Sequence, residues 1–527
     1  MLSRRTLLKI AGLSLTIPTL YGRDIEPKNG AFYLQVNMFG APSRWLFDLP
    51  LFPFSDEKNV KRNMMVGNKI EEINEFKTSL ETSKIGGVRY PSLWRKTFHT
   101  SSGKGDLSSL FKNMLTIRGC NMAIDGHETN SQKLISPFRL GNSINAQIAK
   151  HFPTDFGPLQ LLQSYSPMVT TPGAYKSNEG ISSINIFMKE DYEKKLFDYK
   201  FRKKNIQFEN RLLKALAELN GMEQLNEKVF DRKLALYEKE FELAVKKYEK
   251  VLNDNYKFYI NAEKKKKALV SRINFKDSSK NEEELRALYG HLFYEDLYLE
   301  GSNLREIAFD LKFPKLIEKF ALTEVIALNN LSSSCLMMLD PPENISFEAY
   351  DPKNKKTLKK SSIKGTFDTH NIGAVADILI GNSFFHVFAS LLNEFVLTLK
   401  KNNRFDHSLI HITSEFDRTP RPDLSGSDHG FQGHTSTLIG GQFNGTHCLG
   451  NIYKNFSEES ALHPSNGIWG AGAPIKELDE RTISYRNISS TVCHLLKIKS
   501  ITPEDKSLVT IGKNRELRYL VGKAQNV

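Results

Sequence analysis

The chain has 527 residues, of which 40% are hydrophobic and 25% charged, so it is long enough for one large domain with insertions or for several domains. Its formal net charge of +13 at pH 7 raises the question of a nucleic-acid partner. The lysines concentrate in one helical segment and no nucleic-acid-binding motif accompanies them, which argues against such a partner.

The N-terminal segment, residues 1–22, has the pattern of a twin-arginine export signal. Two arginines in Ser3–Lys9 precede a short apolar run from Ile10 to Leu20. The run is about half the length needed to span a bilayer, and no other segment is apolar enough to cross one. We expect export by the twin-arginine translocase to the periplasm or cell exterior, with membrane tethering if the signal is retained. A basic amphipathic helix is the alternative.

The first half of a predicted α/β core, residues 23–185, begins with an apolar run. Ala31–Met38 reads as a buried strand that ends in the turn-forming loop Gly40–Ser43. Asp48 follows this loop and could supply a carboxylate to a metal ion. Ser43 is a conceivable nucleophile, although nothing in the sequence indicates that it is activated.

A second strand is predicted later in this half. Leu115–Arg118 runs into a polar loop that contains Asp125, His127 and Glu128. The three side chains are candidate site residues, but the sequence assigns them no specific role.

Residues 186–300 form a predicted helical insertion, because the segment is rich in Lys, Glu, Leu, Phe and Tyr and has no proline. Lysines such as Lys264–Lys267 are better explained by a solvated helical face than by a nucleic-acid or lipid site. We expect a lid-like subdomain of antiparallel long helices, whose surface could bind an unknown protein partner. The predicted apolar face consists of residues at helical spacing, namely Leu234, Tyr237, Phe241, Val245, Tyr248, Leu252, Tyr256 and Tyr259.

The α/β pattern returns in residues 301–527, the predicted second half of the core. A lysine-rich polar loop is predicted for residues 341–364. Elsewhere helices and strands alternate, as expected for a sheet covered on both faces. The predicted elements are a helix from Phe320, the strand Cys335–Leu339, the helix Phe384–Leu399, the strands Leu409–Thr413 and Ser436–Gly440, and the helix Ile488–Ile498.

Gly365–His370 contains a carboxylate and an imidazole two residues apart, at Asp368 and His370. In an extended or looped backbone, side chains at i and i+2 share a face, so both could reach one ion. The alternative is that Asp368 caps the following helix and His370 is an ordinary polar residue.

A loop directly after the strand Leu409–Thr413 carries an acid and two arginines. Glu415 could bind a metal ion, act as a base or pair with an arginine. Arg418 and Arg421 could hold an anionic substrate through paired hydrogen bonds, or could form salt bridges within the loop.

The same loop ends in the adjacent pair Asp428 and His429, flanked by Gly426 and Gly430. A carboxylate and an imidazole after a buried strand are typical of a divalent-metal site in an α/β protein. On a strand the two side chains would point to opposite faces. In a loop both could bind metal ions, or one could bind while the other orients it. An Asx-turn with a surface histidine is the alternative.

The four cysteines, Cys120, Cys335, Cys448 and Cys493, form no CxxC motif and fit no zinc-site spacing. We interpret them as buried free thiols, with a disulfide in an oxidising compartment as the alternative. The sequence also lacks a nucleophile elbow, a P-loop and a dinucleotide fingerprint, which argues against ordinary serine hydrolases, P-loop enzymes and dinucleotide-dependent oxidoreductases.

The motifs together resemble a family of exported bacterial proteins catalogued as domain of unknown function 1501, which belongs to the alkaline phosphatase and sulfatase superfamily. Members carry Gly-Gly-Pro-Ser before Phe-Asp, then Gly-Gly-Trp-Asp-Thr-His, then Glu-Phe-Gly-Arg-Thr-Pro with a following Asp-His. No serine or threonine here matches the superfamily's nucleophile. The chain departs from the family pattern at Ala41, Thr366, Phe367 and Asp417.

The resemblance implies a three-layer α/β/α core like that of alkaline phosphatase, with the long helices as an insertion. It implies one or two divalent ions (Zn, Ca, Mg or Mn), bound by Asp368, His370, Asp428 and His429, with Asp48 as a further ligand. The leading hypothesis is a metal-dependent hydrolase that acts on small phosphate or sulfate esters. The alternative is a non-catalytic periplasmic or surface protein that keeps the fold and binds a partner.

Overall fold

A mixed, mostly parallel sheet lies at the centre of the structure, which is a computed structural model. The predicted signal segment 1–22, Tyr259 of the predicted apolar helical face, Lys264–Lys267 and Arg421 lie outside the residues that the structure describes. The described residues are 30–48, 82–85, 88–137, 143–154, 156–161, 184–186, 222–256, 303–310, 314–339, 344–351, 354–364, 366–370, 374–420, 427–450, 472 and 475–522.

The strands within these ranges are numbered in chain order. They are β1 Phe32–Met38, β2 Thr82–Ile85, β3 Val88–Pro91, β4 Phe98–Thr100, β5 Gly103–Gly105, β6 Asn113–Asn121, β7 Leu159–Leu161, β8 Ile184–Ile186, β9 Asn303–Asp310, β10 Ser334–Leu339, β11 Asn344–Asp351, β12 Lys356–Lys364, β13 Ser408–Ser414, β14 Asp417–Pro420, β15 Ser427–Gly430, β16 His434–Gly440, β17 Gly445–Leu449, β18 Ile483–Ser484, β19 Val509–Ile511 and β20 Leu517–Tyr519.

The helices are numbered in the same way. The α-helices are α1 Ser108–Phe111, α2 His127–Ile135, α3 Ile144–His151, α4 Met222–Tyr256, α5 Pro314–Leu328, α6 Ala374–Lys401 and α7 Tyr485–Leu495. Short 3-10 helices occur at Arg44–Leu46, Ser92–Arg95 and Phe405–His407.

Eight strands cross the central sheet in the order β17-β6-β16-β13-β1-β10-β7-β8, and the short β18 also pairs with β6. Neighbouring strands are parallel except at β16, which runs antiparallel to both β13 and β6. Because β1, β6 and β13 point the same way, the loops that follow them meet at one edge, which we call the carboxyl edge.

Burial on both faces explains why the central strands could be recognised. All seven residues of β1 are buried, and a strand covered on both faces reads as a near-continuous apolar run. The predicted strands at 31–38, 115–118, 335–339, 409–413 and 436–440 are confirmed as β1, β6, β10, β13 and β16. The predicted helices are confirmed in α5, α6 and α7, although the last one ends at Leu495 and not at Ile498.

Helices flank both faces of this sheet. On one face, Tyr33 of β1 belongs to an apolar core that includes residues of α2, α3 and α7. Leu34 points to the opposite face by strand alternation, as does Cys335, its register partner in β10. On that face the Thr323 side chain of α5 is hydrogen-bonded to Cys335.

The long helix α4 packs along α5 and α6. Lys247 and Tyr248 of α4 both bind the Glu324 carboxylate of α5. Although α4 and α6 are long, no helix among the described residues is apolar enough over a sufficient length to cross a membrane. The buried members of the predicted apolar face of α4 are Tyr237, Phe241, Tyr248 and Leu252.

The predicted loop over residues 341–364 is wrong. Within it, Asn344–Asp351 and Lys356–Lys364 form β11 and β12, which pair antiparallel, and β11 also pairs with β9 in a three-stranded sheet separate from the central one. An antiparallel sheet can face water on one side, so lysines are compatible with its strands. The partner strand β9 is remote in sequence, and no local pattern reveals the pairing.

The four cysteines are free thiols. Cys120, Cys335 and Cys493 are buried, whereas Cys448 is partly exposed. Burial raises the pKa of Cys335 to about 12 and that of Cys493 to about 11, so these thiols stay protonated near neutral pH.

Candidate metal centre

Four side chains converge at the carboxyl edge of the sheet. His127, Asp368, His370 and His429 each offer one atom that could bind a metal ion, and these atoms lie within 4.8 Å of one another. We call these four residues the histidine cluster. The Asp368 side chain is 43% exposed, more than any of the three histidines, so the cluster opens to solvent on that side.

Three parts of the chain supply the cluster. His127 is the first residue of α2, shortly after β6. Asp368 and His370 precede α6, and His429 lies in β15. The predicted loop after the strand Leu409–Thr413 contains β14 and β15, which form an antiparallel pair in which His429 lies opposite Arg418.

The ring nitrogens of the cluster approach one another closely. His370 Nε2 lies 2.6 Å from His429 Nε2 and 3.7 Å from Asp368 Oδ1. His127 Nε2 lies 3.7 Å from Asp368 Oδ2. This Nε2 atom of His127 is buried and has no hydrogen-bond partner within the described residues. Only one proton fits between two ring nitrogens that lie 2.6 Å apart, so one of these two Nε2 atoms presents a lone pair to the other.

Each imidazole of the cluster has a carboxylate near its other nitrogen. A carboxylate at Nδ1 favours a proton there, which leaves the lone pair that a metal ion requires on Nε2. The donor set and its outer carboxylates therefore fit a divalent ion. The pairs are His127 Nδ1 with Glu415 Oε1 at 3.3 Å, His370 Nδ1 with Asp428 Oδ1 at 3.8 Å, and the hydrogen-bonded His429 Nδ1 with Asp125 Oδ1.

The protonation states also suit metal binding. Burial lowers the pKa of His429 to about 4, even though its hydrogen bond to Asp125 acts in the opposite direction. Burial opposes ionisation of Asp368, but the charge of Arg418, which also donates a hydrogen bond to it, acts in the other direction, and the pKa of that carboxyl is lowered. A neutral imidazole and an ionised carboxylate are the forms that bind metal ions.

Arg418 holds Asp368 in place. Its NH2 group donates to Asp368 Oδ1 at 2.8 Å and to Gly40 O at 2.7 Å, and its Nε donates to Ala41 O at 2.9 Å. The side chain is fully buried. Its third nitrogen, Nη1, is buried and has no hydrogen-bond partner among the described residues, so the role of Arg418 in binding an anionic substrate stays a prediction.

Glu415 lies behind His127, on the side of the ring away from Asp368. The residue is 1% exposed, and its carboxylate accepts hydrogen bonds from the backbone N–H groups of Gly40 and Ala41. Its oxygens therefore face the loop after β1 and the His127 ring.

Ser43 and Asp48 are not members of the histidine cluster. Ser43 is buried and its hydroxyl donates to Asp377 Oδ2 at 2.6 Å. Asp48 is buried and accepts from Arg44 Nε and NH2, both at 2.6 Å. The structure thus places Ser43, the conceivable nucleophile, and Asp48, a predicted ligand, in other polar contacts.

A second group of polar side chains lies inside the protein. His411 is hydrogen-bonded to the Tyr33 hydroxyl at 2.8 Å and to Ser436 Oγ at 3.0 Å. Arg44, besides binding Asp48, donates to Ser414 Oγ and to two backbone carbonyls. We call Tyr33, Arg44, Asp48, His411 and Ser436 the buried polar network.

Sequence reasoning named His127 and Asp125 but gave them no role. The structure places His127 in the histidine cluster and Asp125 on His429, while Glu128 is exposed. Their position in the sequence could have indicated a role, because Asp125 and His127 follow β6 at the same edge of the sheet as the loop after β13.

Comparisons of the chain with family models, with curated proteins and with solved structures found no match. The family resemblance drawn from the motifs therefore stays a prediction.

Proposed function

We propose that the chain is an exported metal-dependent hydrolase that binds a divalent ion at the histidine cluster and acts on phosphate or sulfate esters. The observation that carries the proposal is the convergence of four metal-binding side chains within 4.8 Å at the carboxyl edge of the sheet. Ligands of open α/β sheets bind at this edge.

The donor set favours zinc. Three imidazoles and one carboxylate suit Zn²⁺ and related transition-metal ions, whereas Ca²⁺ and Mg²⁺ prefer oxygen ligands. We propose one Zn²⁺ per chain, held by His127, Asp368, His370 and His429.

When bound, a divalent ion supplies positive charge that polarises the ester. Asp125 accepts a hydrogen bond from His429 Nδ1, so the lone pair of His429 lies on Nε2, where the ion would replace the proton shared with His370. Arg418 fixes one oxygen of Asp368 and leaves the other facing His127. The exposed side of Asp368 marks the direction from which an ester would approach.

The architecture supports the family resemblance as a further proposal. A mostly parallel sheet with helices on both faces is compatible with the three-layer core of the alkaline phosphatase superfamily. On the same basis we propose that residues 186–300 are an insertion, and that the segment 1–22 directs export to the periplasm or cell exterior.

Two contacts favour a non-catalytic alternative, a binding protein with a structural metal ion. The Ser43 hydroxyl is buried and donates to Asp377, and the buried Arg418 guanidinium donates to Asp368 and two carbonyls, so both side chains have structural contacts. In addition, α4 exposes Leu236 and Leu243, one side of the helix that could contact a partner.

Metal analysis combined with an ester assay tests the proposal. The purified protein should contain one zinc per chain by elemental mass spectrometry. It should hydrolyse p-nitrophenyl phosphate or sulfate, and lose the activity to a chelator and regain it with Zn²⁺. Bound zinc without turnover on mono- or diesters would favour the binding protein. Absence of metal binding, even after Zn²⁺ addition, would overturn the metal centre itself.

A further inference from the structure

We propose that Glu415 positions His127 for metal binding, from a seat formed by the backbone of the loop after β1. The proposal rests on the metal-binding function proposed above, and makes Glu415 a positioning residue rather than a ligand or a base.

The seat consists of two successive N–H groups. Gly40 N–H donates to Glu415 Oε1 at 2.9 Å and Ala41 N–H donates to Oε2 at 3.2 Å. Ala41 N–H is shared with Met38 O at 3.3 Å. Both loop residues have positive φ, 96° and 51°, and an alanine rarely adopts this conformation. Successive N–H groups that converge in a turn form an anion-binding concavity, and the Glu415 carboxylate occupies it.

The opposite side of the same loop is also held. Arg418 donates to the carbonyl oxygens of Gly40 and Ala41. A Cβ added at Gly40 would lie 2.9 Å from Phe367 Cβ and 3.2 Å from Asp368 N, so the loop closely approaches the segment that carries Asp368. The seat of Glu415 is therefore fixed relative to Asp368.

The carboxylate acts on the cluster through His127. Glu415 Oε1 lies 3.3 Å from His127 Nδ1, and both carboxylate oxygens already accept backbone hydrogen bonds. A proton on Nδ1 directs the lone pair to Nε2, which is the buried atom that faces Asp368 Oδ2 at 3.7 Å. The Phe416 ring, 4.8 Å from the His127 ring centroid, supports the imidazole from another side.

Glu415→Gln tests the proposal by metal affinity. The amide has one oxygen and one NH₂ group, so one of the two N–H donors of the seat would face an NH₂ group, and the side chain should shift away from His127. We expect Zn²⁺ affinity of the chelator-stripped protein, measured by competition with a zinc indicator, to fall by about 10–100-fold. Asp125→Asn should weaken binding less, since Asp125 is 59% exposed and water can replace its hydrogen bond.

Glu394→Gln is the matched control. Glu394 is also fully buried and accepts two hydrogen bonds, from Ser101 N at 2.8 Å and Ser101 Oγ at 2.5 Å, but it lies in α6 outside the cluster. Both glutamine variants should melt at a lower temperature, whereas only Glu415→Gln should lose zinc affinity.

The visible absorption of the Co²⁺-loaded protein gives a second readout, because it reports the ligands around the ion. At saturating Co²⁺ the spectrum of Glu415→Gln should change and that of Glu394→Gln should not. Wild-type zinc affinity in a folded Glu415→Gln variant would overturn the proposal and leave the metal centre standing. Failure of the wild-type protein to bind zinc would instead overturn the proposed function, and this inference with it.

Discussion

The histidine cluster and the buried polar network are built from the same groups but use them differently. In the network, both nitrogens of His411 have hydrogen-bond partners, and Arg44 is bound to Asp48, a hydroxyl and two carbonyls. In the cluster, carboxylates lie near the Nδ1 atoms, while the Nε2 atoms turn towards one another and towards Asp368. The cluster could therefore hold a metal ion, whereas both ring nitrogens of His411 in the network are already hydrogen-bonded to hydroxyl groups.

The largest effect is expected from breaking the ion pair of the network. Arg44→Met leaves the fully buried Asp48 carboxylate without its cation, and removal of one partner of a buried pair costs about 3–5 kcal/mol. The free energy of unfolding, measured by urea denaturation at pH 7, should fall by this amount. Zinc affinity of the folded variant should stay at the wild-type value.

The exposed pair Arg515–Asp406 provides the control for this experiment. Asp406→Asn should change the free energy of unfolding by at most about 1 kcal/mol, because exposed ion pairs contribute little. If Arg44→Met proved equally mild, the network would not have the structural role assigned to it.

Removal of a cluster histidine should affect metal binding more than stability. His429→Ala deletes one Nε2 atom of the cluster, so we expect zinc affinity to fall on the order of 100-fold or more, since even a partner of a ligand contributes about 10–100-fold. Competition with a zinc indicator measures the loss. His411→Gln is the matched change in the network and should keep wild-type affinity. Equal losses of zinc affinity in the two variants would show that the cluster and the network do not differ in metal binding.

A smaller effect distinguishes the network histidine by its response to acid. Burial, helped by the charge of Arg44, lowers the pKa of His411 from the ordinary value of 6.5 to about 3. His411 is therefore protonated near pH 6.5 in the unfolded chain, but only near pH 3 in the folded protein. Because the unfolded chain binds the additional proton, the free energy of unfolding decreases as the pH falls from about 6.5 to about 3.

His411→Gln removes this titration. The wild-type free energy of unfolding should fall more steeply with acid than that of the variant, by up to about 1.4 kcal/mol per pH unit between pH 6 and 3. Urea denaturation of both proteins across this range measures the difference. Asp377 and Asp417, with pKa values raised to about 6 and about 7 by burial, act in the opposite direction in both proteins and cancel in the comparison. Parallel curves would show that His411 is not held neutral.

The central sheet could be predicted from the sequence because its strands carry the signal themselves. An apolar run such as Phe32–Met38 is buried wherever it pairs. By contrast, β12 contains lysines and is a strand only because it pairs with β11, which in turn pairs with the remote β9. Local composition does not encode such pairing, and for this reason the sequence predicts a loop where the structure has strands.

The candidate site could be predicted only in part, for a related reason. The two carboxylate–imidazole pairs close in sequence predict Asp368, His370, Asp428 and His429 as ligands. The structure brings Asp368, His370 and His429 into the cluster, whereas Asp428 lies outside it, near His370 Nδ1. His127 joins them from a distant helix. The contact of Glu415 with Gly40 spans 375 residues, a separation that no motif shows.

The position of β1 has a consequence for how the chain folds. This N-terminal strand lies between β10 and β13, so that Tyr33 pairs with Ser334 and Phe32 with Ser408. A nascent chain therefore cannot complete the middle of its sheet until most of its length has been synthesised. Contacts of such long sequence separation slow folding and leave an apolar strand unpaired in the meantime. Truncation before Ser408 should therefore yield an aggregation-prone chain and not a smaller folded domain.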